Sequence, residues 1–555
     1  MNKKVCSFPI LFALLALLIG TCAVVFPASA QAAPTSTGSI TVSGTVARSY
    51  DAYQIFSANV VDGDSDSKIA TDLAWASDAV RDAALPVLHS AGMPNSQTTA
   101  QEAAEWLNTD SHLTSALSAQ LARSLQSSGA VFVALNAGTA AELPCGYWLI
   151  VADDDAIAQD EAGTAPIMAL VGGSAVTVKP KAATPKVAKH VLEDSTAAWQ
   201  KAADATVADD LYWRLSATVP AGLTAYDTYT VRFVDTMSAG LDPSKVAASM
   251  RVYVAAGADG GFDAVQTGKD GRAGTDPAKG WTDITAQCAT KVAADGTFTV
   301  RTGDLIAALG GADAFTAGAR VVAVYNAPLN SACNHGIAKG NPNEVYLRYP
   351  RSPFADQSGD AGFTRTPSDD ACAYTWDLAL TKRGSDGDKP LSGAVLSITD
   401  DRGRTLAADG TWDVEGKATV TTGEDGRVTV SGVDSGKLEV RELKAPKGYT
   451  AFEGTRSVTV KAEGLDVDQV AAAKPKLTIT AESPLRADSA DGSTGSLEAS
   501  LINTPTGTPP SITTGGFMPS TGDMAMYAAA AAAVAGAALI VVALLVKRGG
   551  GSHKE

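Results

Sequence analysis

Between Lys186 and Thr504 the chain is written in short runs in which every second residue is apolar. The runs include Thr228 to Val234, Phe298 to Arg301, Arg320 to Tyr325 and Val345 to Tyr349. They resume with Ala394 to Ile398, Arg427 to Val430 and Leu438 to Glu442. Gly, Asp, Asn and Pro separate them. A period of two puts one face of each segment in a core and the other in water, and turn residues at such regular intervals leave antiparallel sandwiches as the expected architecture. Thr35 to Val178 differs. It opens and closes with the same alternation (Ser39 to Ser43, Tyr147 to Val151), but Ile69 to Leu125 is rich in Ala, Leu, Gln and Glu with apolar residues at helical spacing. The expected fold is therefore mainly β, two tandem sandwiches behind a mixed α/β N-terminal domain.

The two ends of the chain are of another kind. Lys3-Lys4, an apolar stretch from Ile10 to Phe26, and Ala28-Ser29-Ala30 read as a secretory signal peptide spanning 1–30. At the other end, Met518-Pro519-Ser520-Thr521-Gly522 precedes an apolar run from Met524 to Val546, then Lys547-Arg548 and a short tail to 555. That run matches the roughly 20 residues needed to cross a bilayer core as a transmembrane segment, and the basic pair belongs on the cytoplasmic side. Between the ends lie roughly 490 residues, room for about three domains. The formal charge of -16 without Lys/Arg clusters argues against nucleic acid as a partner. Five scattered histidines, with no ligand spacing, point to no metal or cofactor. Asp62-Gly63-Asp64-Ser65-Asp66 has a calcium-loop flavour, but Ser67 and Leu73 stand where an EF-hand needs Gly and Glu, so a turn is expected. No nucleophile elbow or phosphate-binding loop is present.

The C-terminal series resembles the LPxTG sorting signal of Gram-positive surface proteins, with Met518 in place of Leu. The resemblance implies that a sortase cleaves between Thr521 and Gly522 and joins Thr521 to an amine, on a neighbouring subunit or on peptidoglycan. Residues 505–517, rich in Pro, Gly, Thr and Ser, then form a stalk.

Residues 375–504 resemble the Cna protein B-type domain. The matching segments are Leu380-Thr381-Lys382, Leu391-Ser392-Gly393-Ala394, Val440 to Tyr449, and Leu501-Ile502-Asn503-Thr504. Such domains form a spontaneous amide (isopeptide) bond, which the resemblance maps onto Lys382 and Asn503 with Glu442 as proton shuttle. An apolar core would favour the neutral amine and the protonated acid that this chemistry needs. Residues 186–353 resemble the fimbrial isopeptide-formation domain of pilin backbone subunits, through Lys189-His190-Val191, Val219-Pro220, Tyr229 to Leu241 and Gly340 to Leu347. The same logic assigns Lys189 as nucleophile, Asp235 as shuttle and Asn343 as electrophile, with Asn341 as the other candidate.

Residues 179–185 link the first two domains, 34–178 and 186–353. Val176-Thr177-Val178-Lys179-Pro180-Lys181-Ala182 is similar to the pilin motif of polymerising subunits, which places Lys181 at the polymerising lysine. Of the four mature cysteines, Cys288 and Cys333 are the preferred disulfide because both fall in one expected domain.

These resemblances imply a non-enzymatic, wall-anchored, sortase-assembled pilus (fimbria) subunit. Its implied partners are sortase, identical subunits joined head to tail, tip or minor pilins, and peptidoglycan. A host-cell ligand is the further partner to consider. The alternative is a wall-anchored adhesin built from the same modules that does not polymerise.

Overall fold

The computed structural model describes residues 36–44, 48–64, 67–109, 112–153, 157, 161–180, 184–221, 223–257 and 281–507. The signal segment, Lys181, Thr521, Gly522 and the apolar run after them lie outside the described residues. Among those described, no helix is long and apolar enough to cross a membrane.

In the N-terminal domain, antiparallel strands Ser49–Asp62, Gly146–Ala152, Ile167–Val171 and Lys68–Trp75 form a sheet on which three helices pack: Asp78–Ser90, Ala100–Asn108 and Ser115–Ser128. Each helix starts where the sequence supplies an oxygen for its free N–H groups. The side chains of Ser77, Thr99 and Thr114 accept from Val80, Glu102 and Leu117. The helical reading from Ile69 starts too early, because Lys68–Trp75 is a strand. A bulge opposite Ser57–Asn59 moves its buried face from Ala70 to Leu73 and Trp75, which hides the period of two. A small second sheet closes the domain, with Thr37–Val42 between antiparallel Ala140–Pro144 and parallel Val176–Val178.

The second domain is a sandwich. Its first sheet runs Ala198–Gln200, Val187–Glu193, Tyr212–Thr218, Arg320–Asn326, Arg251–Ala255, Trp281–Asp283. Its second runs Ala202–Asp204, Asp369–Tyr374, Asn341–Pro350, Arg232–Met237, Thr297–Arg301, Ala289–Val292, with Phe363–Arg365 also on Asn341–Pro350. Trp213, Tyr229, Phe233, Phe298 and Tyr325 fill the space between the sheets. This sandwich continues past 353. Ala371 pairs with Asn343 and Ala373 with Asn341, so the Asn343 strand is followed by two more.

Only Thr375 separates Tyr374 from the third sandwich. There, Trp376–Gly384 lies between antiparallel Arg427–Val433 and parallel Ser496–Pro505. The facing sheet holds Val395–Thr399, Gly436–Lys444, Thr455–Glu463 and Lys476–Ala481. Leu378, Leu380, Leu396, Val440 and Leu501 belong to its core.

Candidate crosslinking sites

Alternation along Val187–Glu193 turns Lys189 and Val191 inward, so a lysine stands where the pattern calls for a hydrophobe. Lys189 is 0% exposed, as are Asp235 and Asn343. The two acceptor-bearing residues come from neighbouring strands of the opposite sheet, where Asn343 pairs with Met237 and Asp235 with Val345. The Lys189 ammonium donates to Asp235 Oδ2 and, at 2.9 Å, to the Tyr325 hydroxyl. Tyr325 donates to Asp235 Oδ2 at 3.1 Å and accepts from Asn343 Nδ2 at 2.8 Å. The second carboxylate oxygen, Asp235 Oδ1, and the amide oxygen Asn343 Oδ1 are buried without a partner.

Burial shifts both groups toward their neutral forms. Burial lowers the Lys189 amine to about 8 against the opposing pull of Asp235, and burial raises the Asp235 carboxyl. Amine, acid and carboxamide are thus packed together in a dry core, the set needed for an amine to displace ammonia from an amide.

Asn341 is also fully buried and, two residues away on one strand, faces the same side. Its amide is occupied elsewhere. It donates to Asn334 O at 2.9 Å and Ala373 O at 3.2 Å, and accepts from Asn334 N at 2.8 Å. The structure brings Asn343, not Asn341, to the Lys189–Asp235 pair.

The third sandwich holds a second set. Lys382 (0% exposed) lies on the strand beside that of Asn503 (2%), with Glu442 (7%) on the opposite sheet. Asn503 Nδ2 donates to Glu442 Oε1 at 2.9 Å, Lys382 Nζ stands 3.5 Å from the same oxygen, and Lys382 also donates to Leu501 O at 3.3 Å. Glu442 Oε2 accepts from the Phe452 amide at 3.1 Å, which fixes the carboxyl group. Burial lowers the Lys382 amine to about 8, and Asn503 Oδ1 is again a buried oxygen with no partner. The two sets differ in direction. Lys189 and Asn343 face each other across the sandwich, whereas Lys382 and Asn503 lie side by side in one sheet.

The expected Cys288–Cys333 disulfide is not formed; all four cysteines among the described residues are free. Cys288 adjoins the edge strand Ala289–Val292 and donates to Ile284 O at 3.3 Å, while Cys333 packs by Gly240 and the Asn341 end of its strand. Three strand spacings, roughly 14 Å, separate those strands, whereas a disulfide needs Cα atoms within about 7 Å. Membership of one domain was too coarse a criterion. Among the described residues no His, Cys, Asp or Glu group is arranged to hold a metal. The sequence does not single out Tyr325, because Arg320–Asn326 has the pattern of an ordinary core strand.

Comparison with known proteins gives a partial match. A family model described as a prealbumin-like fold domain of the SpaA type matches residues 377–474. Over 143 residues the chain is 31% identical to the trypsin-resistant surface T6 protein of Streptococcus pyogenes serotype M6, covering 24% of this chain and 24% of that protein. The match therefore spans about a quarter of that relative's length. Among solved structures, the T6 backbone pilin of serotype M6 Streptococcus pyogenes aligns at 16% identity over 85% of this chain and 98% of its own, with a TM-score of 0.46. The full-length major pilin SpaD from Corynebacterium diphtheriae aligns at 16% identity over 85% and 98%, with a TM-score of 0.40.

Proposed function

We propose that this chain is the repeating backbone subunit of a covalent pilus on a Gram-positive surface, a structural protein whose only chemistry is on itself. The observation that carries this reading is the pair of buried Lys–carboxyl–Asn sets, one in each sandwich. Each would react once, Lys189 with Asn343 and Lys382 with Asn503, releasing one ammonia per bond. Lone buried lysines are costly, and two of them each beside an acid and an amide are better explained by a reaction than by packing.

The bonds suit a load-bearing role. An amide between the first strand and a later one carries tension that would otherwise strip the hydrogen-bonded ladder. Closing the loops from 189 to 343 and from 382 to 503 also stabilises by about 5 kcal/mol each, on the chain-entropy argument used for disulfides. In this reading residues 1–30 direct export, residues 518–522 are the sorting signal cut after Thr521 by sortase, and Lys181 is the amine that receives Thr521 of the next subunit. The last subunit is attached to peptidoglycan.

The test has two arms. Intact mass of the mature protein should fall by two ammonia, with Asp235→Ala restoring one and Glu442→Ala the other. Wall extracts boiled in detergent should show a high-molecular-weight ladder that Lys181→Ala abolishes while leaving wall-attached monomer. A single band from the wild type would favour the non-polymerising adhesin, and an unshifted mass would remove the crosslinks.

A further inference from the structure

We propose that the Tyr325 hydroxyl is the proton relay of the second sandwich, passing a proton from Asp235 to the nitrogen that leaves Asn343. The inference deepens the crosslinking reading above and rests on it. A departing carboxamide nitrogen must gain a proton to leave as ammonia. In the third sandwich the acid reaches that nitrogen itself, since Asn503 Nδ2 donates to Glu442 Oε1 at 2.9 Å. In the second sandwich the acid is an aspartate, one methylene shorter, and the carboxamide nitrogen is instead hydrogen-bonded to the phenol at 2.8 Å. The phenol in turn donates to Asp235 Oδ2 at 3.1 Å. Among the described residues no hydroxyl hydrogen-bonds to Lys382, Glu442 or Asn503, so the phenol appears only where the acid is short.

The Tyr325 oxygen is fully used. A hydroxyl has one proton to give and two lone pairs to fill, and here it donates to Asp235 and accepts from Lys189 Nζ and Asn343 Nδ2. Its ring is held edge-on to Phe298, with centroids 4.8 Å apart, on the strand next to Tyr212–Thr218. Burial, with the Asp235 charge beside it, pushes the phenol well up, so it keeps its proton at rest and serves as a conduit rather than a base.

The steps balance. Neutral Lys189 Nζ attacks Asn343 Cγ and a C–N bond forms. Once Cγ is tetrahedral Nδ2 gains a lone pair; the phenol O–H, which at rest points to Asp235 Oδ2, turns to Nδ2, gives it its proton and takes the proton of Asp235. The Cγ–Nδ2 bond breaks and ammonia leaves. Asp235 recovers a proton from Nζ, which keeps one hydrogen in the new amide. Both the acid and the phenol end as they began.

Tyr325→Phe keeps the ring and removes the relay. In full-length chain followed from its release in cell-free translation, before any bond has formed, loss of ammonia from the second sandwich should slow by about 100-fold, the lower range for general acid–base assistance. The Lys382–Asn503 bond in the same molecules should form at the wild-type rate, and near-UV circular dichroism should show that the second sandwich is folded. Adding Asp235→Glu to Tyr325→Phe should restore the rate, because the extra methylene lets the acid touch the leaving nitrogen as Glu442 does. Should Tyr325→Phe misfold, 3,5-difluorotyrosine at 325 keeps the shape and makes the phenol more acidic. A more acidic relay should then change the plateau rate of the second-sandwich bond and leave the Lys382–Asn503 rate unchanged. Equal rates in Tyr325→Phe and wild type, or a plateau rate that fluorination leaves unchanged, would overturn the relay. Absence of the Lys189–Asn343 bond from the wild-type chain would overturn the crosslinking reading beneath it.

Discussion

Lys189 and Lys382 occupy positions where strand alternation reserves space for a hydrophobe, and each is kept by a carboxyl and a carboxamide. For Lys189 the partner acid is itself raised by burial, so the pair behaves as two groups sharing one proton. The reactive form, free amine plus neutral acid, has the same proton count as the ion pair. A second proton locks the amine as ammonium, and loss of the shared proton leaves a carboxylate that cannot assist. The rate of the second-sandwich crosslink should therefore be bell-shaped, with its alkaline limb near the Lys189 value of about 8. Mass spectrometry of newly translated chain shifted across about pH 4 to 10 measures it. A rate still climbing above the lysine value would mean the amine acts alone. Lys189, Asp235, Lys382 and Glu442 were legible because each sits inside a contiguous segment of recognisable pattern. Tyr325 was not, since its role depends on a strand from the first sheet facing a short acid on the second, and nothing local in Ala323-Val324-Tyr325-Asn326 records that.

The strand Asn341–Pro350 shows what an element can and cannot disclose. Its period of two points Asn341, Asn343 and Val345 to one side, so sequence alone leaves both asparagines facing the core. Hydrogen bonding separates them. Asn341 ties the strand to Asn334 and Ala373, and its removal strands three backbone groups worth about 1 kcal/mol each. Asn341→Ala should lower the unfolding temperature of the second sandwich yet leave its ammonia loss complete. Asn343→Ala should abolish that loss. Peptide mapping with intact mass decides between them, and a crosslink from Lys189 to residue 341 would reverse the assignment. The Lys68–Trp75 strand failed at the same scale for a different reason, because one bulge breaks the phase on which periodicity reading depends.

At the scale of the molecule, the second and third sandwiches meet at a cluster of acids that no linear pattern announces. Trp376 Nε1 donates to Asp204 Oδ2 at 2.6 Å, the Ser435 amide donates to the same oxygen at 3.0 Å, and the Asp204 amide donates to Glu193 Oε2 at 3.2 Å. Arg402 and Arg404 cross the boundary to Asp194 and Asp209. Burial first, and the Asp204 charge second, raise Glu193 to about 7, and burial with Asp204, Asp194 and Glu193 raises Asp434. A carboxyl raised on folding contributes stability that is whole below its unfolded value and is lost as pH climbs through its folded one. The joint should therefore weaken between about pH 5 and 8, and Glu193→Gln should remove part of that slope. By calorimetry the wild type should lose roughly 3 °C more than the variant over this range. Equal slopes would show that Glu193 does not sense pH.

The boundary lies later than 353, because Phe363–Arg365 and Asp369–Tyr374 both pair with Asn341–Pro350, and Asp369–Tyr374 also pairs with Ala202–Asp204 far back in the chain. Asp369–Tyr374 leaves one sandwich and Trp376–Gly384 enters the next with Thr375 alone between them. A single residue, itself buried, offers no swivel. One sandwich cannot turn about the long axis without dragging Trp376 off Asp204 and Arg404 off Asp209. Torque applied at one end of the pair is thus delivered at the other, and the angle between successive sandwiches is a fixed property of the chain.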